Sequence, residues 1–139
     1  MTTDIDSRKV VFMVDDDELH HISVESHLEN DYQVFKALSG KEALELLNSR
    51  QVIPDLILLD ILMPEMDGWA VFDKIQDIAA LKNTPIMFYS SLDEDSAKEK
   101  AYELGAFDFL TKPCPRSILL SRIKDSLEKA EQIKLKYGL

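Results

Sequence analysis

The chain has 139 residues, 45% hydrophobic and 30% charged, the size and composition of one ordinary globular domain rather than a disordered segment. Sixteen basic residues against 26 acidic ones leave a formal charge of −10. That argues against direct nucleic-acid binding and against docking on an anionic membrane, both of which need a basic face, while leaving room for a basic protein partner or a bound cation.

The N-terminal "MTTDIDSRK" is polar and lacks the apolar core of a signal peptide. "KVVFMV" (Lys9–Val14) is a short, β-branched run bounded by charges and reads as a buried strand. Asp15–Asp17 come next, and a helix is expected from about Glu18 to Glu29 with Leu19, Ile22 and Leu28 inward. Tyr32–Leu38 reads as a second strand. In "SGKEALELLN", Ser39 is an N-cap and Glu42 completes a capping box, with Ala43, Leu46 and Leu47 as the apolar stripe. Asp55–Asp60, "DLILLD", is the third strand. The most apolar window, Val52–Met63, is broken by Pro54, Asp55 and Asp60 and is too short to span a bilayer.

Gly68–Ile78 reads as a helix with Trp69, Phe72 and Ile75 or Ile78 inward, and Pro85–Ser90 as the fourth strand. "DSAKEKAYELG" reads as a helix with Ala97, Ala101 and Leu104 on one face and Gly105 as its C-terminal cap. Ala106–Lys112 is the fifth strand. Pro115 opens a last helix carrying Leu120, Ile123, Leu127 and Ala130, which "QIKLKYGL" extends before fraying. Five βα units in succession predict an α/β fold, a parallel sheet covered on both faces, in a single domain. The one cysteine, Cys114, rules out a disulfide within the chain and fits a reducing, cytoplasmic setting.

Ligands of an open parallel sheet bind outside the carboxyl ends of its strands. Those ends carry Asp15 and Asp16, Asp60, Ser90 and Lys112. Crowded carboxylates repel one another unless a cation intervenes, and oxygen ligands with room for water suit Mg²⁺. Lys112 and Ser90 then offer a charge and a donor to an anion such as a phosphoryl group, and Asp60 is the natural nucleophile. Each residue has a plainer reading: Asp15–Asp17 also suit a helix start, Ser90 a turn and Lys112 a strand end. Their placement at the ends of four different strands favours the joint reading.

From about Lys9 to Leu127 the chain resembles a receiver domain, the phosphoacceptor module of two-component response regulators, of the chemotaxis-regulator type. The resemblance rests on "VDDDE", "PDLILLDILMPEMDG", "PIMFYSS", "GAFDFLTKP" and "YQVFKALSGKEALELL". It rests also on the 44-residue step from Asp16 to Asp60 and the 22-residue step from Ser90 to Lys112. It implies a flavodoxin-like (βα)5 fold with strand order 2-1-3-4-5. It further implies Asp15, Asp16, Asp60 and the Leu62 carbonyl around Mg²⁺ or Mn²⁺, with Asp60 the phosphorylated residue and Lys112 the family's lysine. Ser90 becomes the switch hydroxyl, Phe109 the switch aromatic that packs inward on activation, and the bond before Pro113 cis. Asp17 becomes the acid that starts the first helix.

The implied partners are a sensor histidine kinase or phosphotransfer protein, and a protein target on the face of helix four, strand five and helix five. Tyr102, Lys98, Arg116 and Arg122 are candidates on that face. In "MPEMDG", Pro64 stiffens the turn and Gly68 relieves its strain. Cys114 departs from the family's bulky apolar residue and reads as a small buried thiol. Leu62 and Leu92 flank the acid site, where the family tunes hydrolysis, and being apolar they predict a long-lived phosphoryl group. His20, His21 and His27 are expected on the first helix, away from the strand ends, facing solvent or a partner.

Three rivals fit less well. A Mg²⁺ phosphohydrolase of the haloacid-dehalogenase type wants an acid two residues after the nucleophile, where Leu62 stands. An FMN-binding flavodoxin wants a hydroxyl-rich loop where this chain has "DDDELHH". A pseudo-receiver would not need the intact acid, serine and lysine set. Only 12 residues follow Leu127, so the expectation is a receiver without a DNA-binding output domain, either stand-alone or excised, and a phosphoacceptor rather than a conventional enzyme.

Overall fold

Strand runs with no polar interruption are buried on both faces, and this is how the sheet is built. The computed structural model describes residues 6–138. Its strands are β1 (Val10–Val14), β2 (Gln33–Ala37), β3 (Leu56–Leu59), β4 (Ile86–Ser90) and β5 (Asp108–Thr111). All pair in parallel, in the order β2-β1-β3-β4-β5. The helices are α1 (Glu18–Leu28), α2 (Gly40–Asn48), α3 (Gly68–Ile75), α4 (Asp95–Leu104) and α5 (Arg116–Tyr137), with a 3-10 turn at Ala79–Leu81 before β4. The five βα units and the parallel sheet are those read from the sequence, and the strand order is the one the resemblance implies.

Side chains alternate across a strand, so each strand feeds two cores. Phe12, Val14, Ile57, Leu59 and Phe88 face α2, α3 and α4. Val11, Met13, Leu56, Leu58, Met87 and Tyr89 face α1 and α5. Every residue of β3 is fully buried, and at about 1.5–3 kcal/mol for each large aliphatic side chain this central strand is a strong anchor for the loop that Asp60 opens.

Two helices bury a face offset from the expected one, although Leu28 of α1 and Ile123 and Ala130 of α5 lie inward as expected. On α1 the inward residues are His21, Val24 and Leu28, while Leu19 and Ile22 are 72% and 58% exposed. On α5 the buried stripe is Leu119, Ile123, Ser126 and Ala130, leaving Leu120 and Leu127 half-buried. In both, an adjacent apolar residue offers a second stripe of similar spacing, and the crossover from the preceding strand chooses between them. Leu104 of α4 also lies outward, beyond the buried Ala97 and Ala101.

The capping residues act where their spacing places them. Ser39 Oγ accepts from the Glu42 N–H at 3.1 Å, and Glu42 reaches back to the Leu38 N–H, one residue earlier than a standard capping box. Gly105 caps α4 at φ 103°, a left-handed conformation that glycine adopts without penalty.

Candidate functional site

The β1, β3, β4 and β5 C-terminal ends meet at one edge of the sheet, and the loops beyond them are pinned by backbone bonds. Asp15 N–H donates to the Ala37 carbonyl at 3.1 Å, Asp60 N–H to Val14 at 2.9 Å and Lys112 N–H to Ser90 at 2.8 Å. These bonds continue the sheet pattern one residue past each strand, so the first functional side chains are held nearly as rigidly as the strands.

Asp15 is fully buried and Asp60 6% exposed. The Lys112 ammonium, on a side chain 9% exposed, is bonded to Asp15 Oδ2 and lies 3.3 Å from Asp60 Oδ2. Two buried carboxylates without a counter-charge would each lose several kcal/mol of hydration, so the lysine is what makes the pair tolerable. Their other oxygens are satisfied locally: Asp15 Oδ1 accepts from Asp17 N–H at 2.8 Å, and Asp60 Oδ1 from Ile61 N–H at 2.8 Å. Ser90 is fully buried, and its Oγ accepts from Leu92 N–H at 3.4 Å. The Lys112–Pro113 bond is cis, as the resemblance implies.

Asp16 stands apart. It is exposed, and its carboxylate is outside the group of ligand atoms that converge here. The Leu62 side chain is 54% exposed, and among the described residues no backbone N–H reaches its carbonyl, which leaves that oxygen available. Asp17 caps α1 by accepting from Leu19 N–H at 2.9 Å, as expected.

Gly68 has a different role from the one its sequence context suggests. A β-carbon on it would lie 2.2 Å from the Asp60 carbonyl oxygen and 2.7 Å from the Ile61 Cα. The left-handed residue of this loop is Glu65, at φ 67°. Gly68 is there because α3 begins in contact with the Asp60 backbone, and its N–H closes on the Ile61 carbonyl at 2.8 Å.

Two of the three histidines depart from expectation. His27 lies at the far end of α1, but His20 is in the first turn of α1 and thus at the same edge as the strand ends. Its Nδ1 lies 3.0 Å from Asp15 Oδ2 and 2.9 Å from Lys112 Nζ. His21 is buried, with Nε2 at 2.7 Å from the Asp15 carbonyl and Nδ1 without a partner among the described residues. Asp15, His20 and Asp60 bring one ligand atom each within 4.8 Å of one another. The sequence does carry a signal for this: the turn that opens a helix after a strand sits beside that strand's end, whichever face its residues occupy.

On the far side of β5, Phe109 is 5% exposed, with its ring centroid 6.1 Å from that of Phe88. Next to it, Asp108 accepts two bonds of 2.5 Å from Arg122 and one of 3.1 Å from the Tyr102 hydroxyl. Burial opposes ionisation of Asp108, but Arg122, the Phe109 N–H and Tyr102 outweigh it and hold the carboxyl below its usual range. Lys98 pairs with Asp93 at 2.8 Å. Arg116 turns the other way and donates from Nε to the His27 carbonyl at 3.1 Å, so it does not belong to the α4–β5–α5 face. Cys114 is half-buried against the α1–α5 core, and burial pushes its thiol pKa up.

A parallel sheet in this order, with buried carboxylates and a lysine at its carboxyl edge, defines a phosphoacceptor receiver architecture. The response regulator receiver domain family matches residues 11–124, and the chain belongs to it. The transcriptional regulatory protein CrdR of Helicobacter pylori is 38% identical over 84% of this chain and 54% of its own length. The transcriptional regulatory protein RstA of Escherichia coli is 35% identical over 94% of this chain and 52% of its own. The chain thus spans about half the length of these two relatives. Among solved structures, the chemotaxis protein CheY4 of Vibrio cholerae superimposes with a TM-score of 0.78 at 26% identity, covering 86% of this chain and 99% of that one. A CheY-like response regulator receiver domain protein from Methanospirillum hungatei gives 0.81 at 25%, covering 91% and 98%. Receiver domains are signalling domains of two-component systems that take a phosphoryl group from histidine kinases and act on downstream targets, and they are not enzymes of the usual kind. Among the described residues no helix is long and apolar enough to cross a membrane.

Proposed function

We propose that Asp60 is the phosphoacceptor of this chain and that residues 1–139 work as one receiver unit. Its core is about 9–127, and 128–139 lengthen α5 and form the tail. The observation that carries the reading is the pair of buried carboxylates, Asp15 and Asp60, bridged by Lys112 at the carboxyl edge of the sheet. That is a costly arrangement for a scaffold and a useful one for phosphoryl transfer.

The oxygen donors fit a divalent cation. Asp15, Asp60, the free Leu62 carbonyl and, from the rim, Asp16 are the oxygens that would hold Mg²⁺ or Mn²⁺. Bound there, the ion supplies positive charge opposite the phosphoryl oxygens. The chain's own groups do the rest. An Asp60 oxygen attacks the phosphorus in line, and the imidazole of the kinase or phosphotransfer protein leaves with the P–N bonding pair. Lys112 exchanges its carboxylate partners for the incoming anion, and Ser90 Oγ turns its hydrogen to a phosphoryl oxygen. The response passes to the α4–β5–α5 face through Ser90 and Phe109, where a protein target docks, and the setting is cytoplasmic.

Phosphotransfer profiling against the host's histidine kinases tests this, with Asp60→Asn beside the unaltered chain. One kinase is expected to label the chain quickly and Asp60→Asn not at all. Labelling of Asp60→Asn at an unchanged rate would refute the acceptor assignment. Ser90→Ala is expected to accept phosphate and lose target binding.

A further inference from the structure

We infer that His20 is a nitrogen ligand for a divalent ion, so that the site favours imidazole-accepting ions such as Zn²⁺ over Mg²⁺. The inference deepens the cation site proposed above and rests on that reading for Asp15 and Asp60.

Three acceptor atoms surround the Lys112 ammonium: Asp15 Oδ2, Asp60 Oδ2 at 3.3 Å and His20 Nδ1 at 2.9 Å. An ammonium has three N–H donors and no acceptor, so each acceptor receives one hydrogen. An ammonium cannot accept, so the tautomer of His20 follows from the Lys112 contact rather than from the 3.0 Å approach of Nδ1 to Asp15 Oδ2. Nδ1 carries the lone pair and points inward, while Nε2 carries the hydrogen and faces Asp17 Oδ2 at 3.4 Å. A carboxylate beyond the far nitrogen is the usual way a protein orients a metal-binding imidazole. The ammonium thus marks a position on which two carboxylate oxygens and one imidazole lone pair converge.

The spacing suits a metal ion in that position once the Lys112 side chain has left it, the same exchange of partners by which the lysine takes up the incoming anion. Neighbouring ligands of an octahedral ion with bonds of about 2.1 Å lie about 3.0 Å apart. His20 Nδ1 and Asp15 Oδ2 are 3.0 Å apart, and the three ligand atoms all lie within 4.8 Å of one another. Mg²⁺ gains little from imidazole, whereas Zn²⁺, Fe²⁺, Ni²⁺ and Cu²⁺ accept it readily; Mn²⁺ stands nearer Mg²⁺ in this respect and serves as the spectroscopic probe. The His20 side chain is half-exposed and that of Asp15 fully buried, so the site is built from one rim residue and buried carboxylates.

The test is made on the full chain. Calorimetric titration with Zn²⁺, Mn²⁺ and Mg²⁺ is run on the unaltered protein and on His20→Ala, with circular dichroism checking that the variant is folded. Pulsed EPR of bound Mn²⁺ reads nitrogen coordination directly. Expected are ¹⁴N modulation in the unaltered protein and none in His20→Ala, with Zn²⁺ affinity falling roughly tenfold or more and Mg²⁺ affinity by less than about twofold. Absence of ¹⁴N modulation in the unaltered protein overturns the inference, as does its persistence in His20→Ala. An equal loss of Zn²⁺ and Mg²⁺ affinity also overturns it, because His20 then only positions the carboxylates. Labelling by a small acyl phosphate with Mg²⁺ separates the two readings. Labelling at Asp60 without a nitrogen signal leaves the receiver function standing and removes His20. A nitrogen signal with undiminished labelling of Asp60→Asn does the reverse.

Discussion

Leu62 follows Asp60 by two residues with more than half its side chain in solvent, and Leu92 holds its N–H on Ser90 Oγ. Neither offers a group that can orient a water for attack on an acyl phosphate. The phosphorylated chain should therefore keep its phosphate for minutes, and Leu62→Asn or Leu92→Glu should shorten the half-life by roughly tenfold by positioning that water. Release of inorganic phosphate from the purified phosphoprotein checks both, and loss within seconds from the unaltered chain counts against the reading. At this scale the sequence is most legible where a strand ends. Asp15, Asp60, Ser90 and Lys112 all appear at the edge where the apolar runs stop. It is less legible between neighbours. Asp15 and Asp16 look like one pair in sequence, but consecutive residues of extended chain point in opposite directions, and only Asp15 turns inward. His20 escapes a helix reading that asks only which face a residue occupies. Its role depends instead on how far along α1 it lies.

The β3–α3 connection shows why an element can be specified by one missing atom group. Gly68 begins α3 against the Asp60 carbonyl, while Asp67 caps the helix by accepting from Ala70 N–H at 2.9 Å. Gly68→Ala must push α3 away from backbone atoms that cannot yield. The expected loss is about 2–3 kcal/mol in urea unfolding, together with slower labelling as Asp60 shifts. The α4–β5–α5 face has a separate dependence on pH. The folded-state pKa of Asp108 is lowered, so its contribution to stability is present above the unfolded value of about 3.9 and is lost as pH falls through the folded value. Asp108→Asn should destabilise by about 1–2 kcal/mol at pH 7, a modest figure because the Arg122 side chain is 40% exposed and screened. Urea unfolding over a pH series should show the two proteins converging below about pH 4. Strands and helix caps are readable because their signals are local. The phases of α1 and α5 are not, since Leu19 and Ile22 compete with His21 and Val24, and Leu120 with Leu119. Packing against the sheet decides each case.

Two apolar cores clamp one sheet, and the acidic cluster sits at its carboxyl edge, assembled from loops that the folded strands hold together. The formal charge of −10 makes the whole molecule self-repelling, and at the strand ends Lys112 is the cation that offsets the repulsion between Asp15 and Asp60. Any divalent ion that binds the folded chain and not the unfolded one must stabilise the fold by mass action. At about 100 times its dissociation constant the gain is about 2.7 kcal/mol, worth roughly 6–10 °C in Tm for a chain of this length. General screening of the net charge would also raise Tm, so the comparison belongs at fixed ionic strength, with KCl replacing the divalent salt. Thermal unfolding followed by circular dichroism should show the rise with the divalent ion, its reversal by a chelator, and a much smaller rise in Asp60→Asn, which lacks one of the charged ligands. Equal shifts with KCl and the divalent salt would mean that the ion acts only through the net charge of the molecule and has no place at the strand ends.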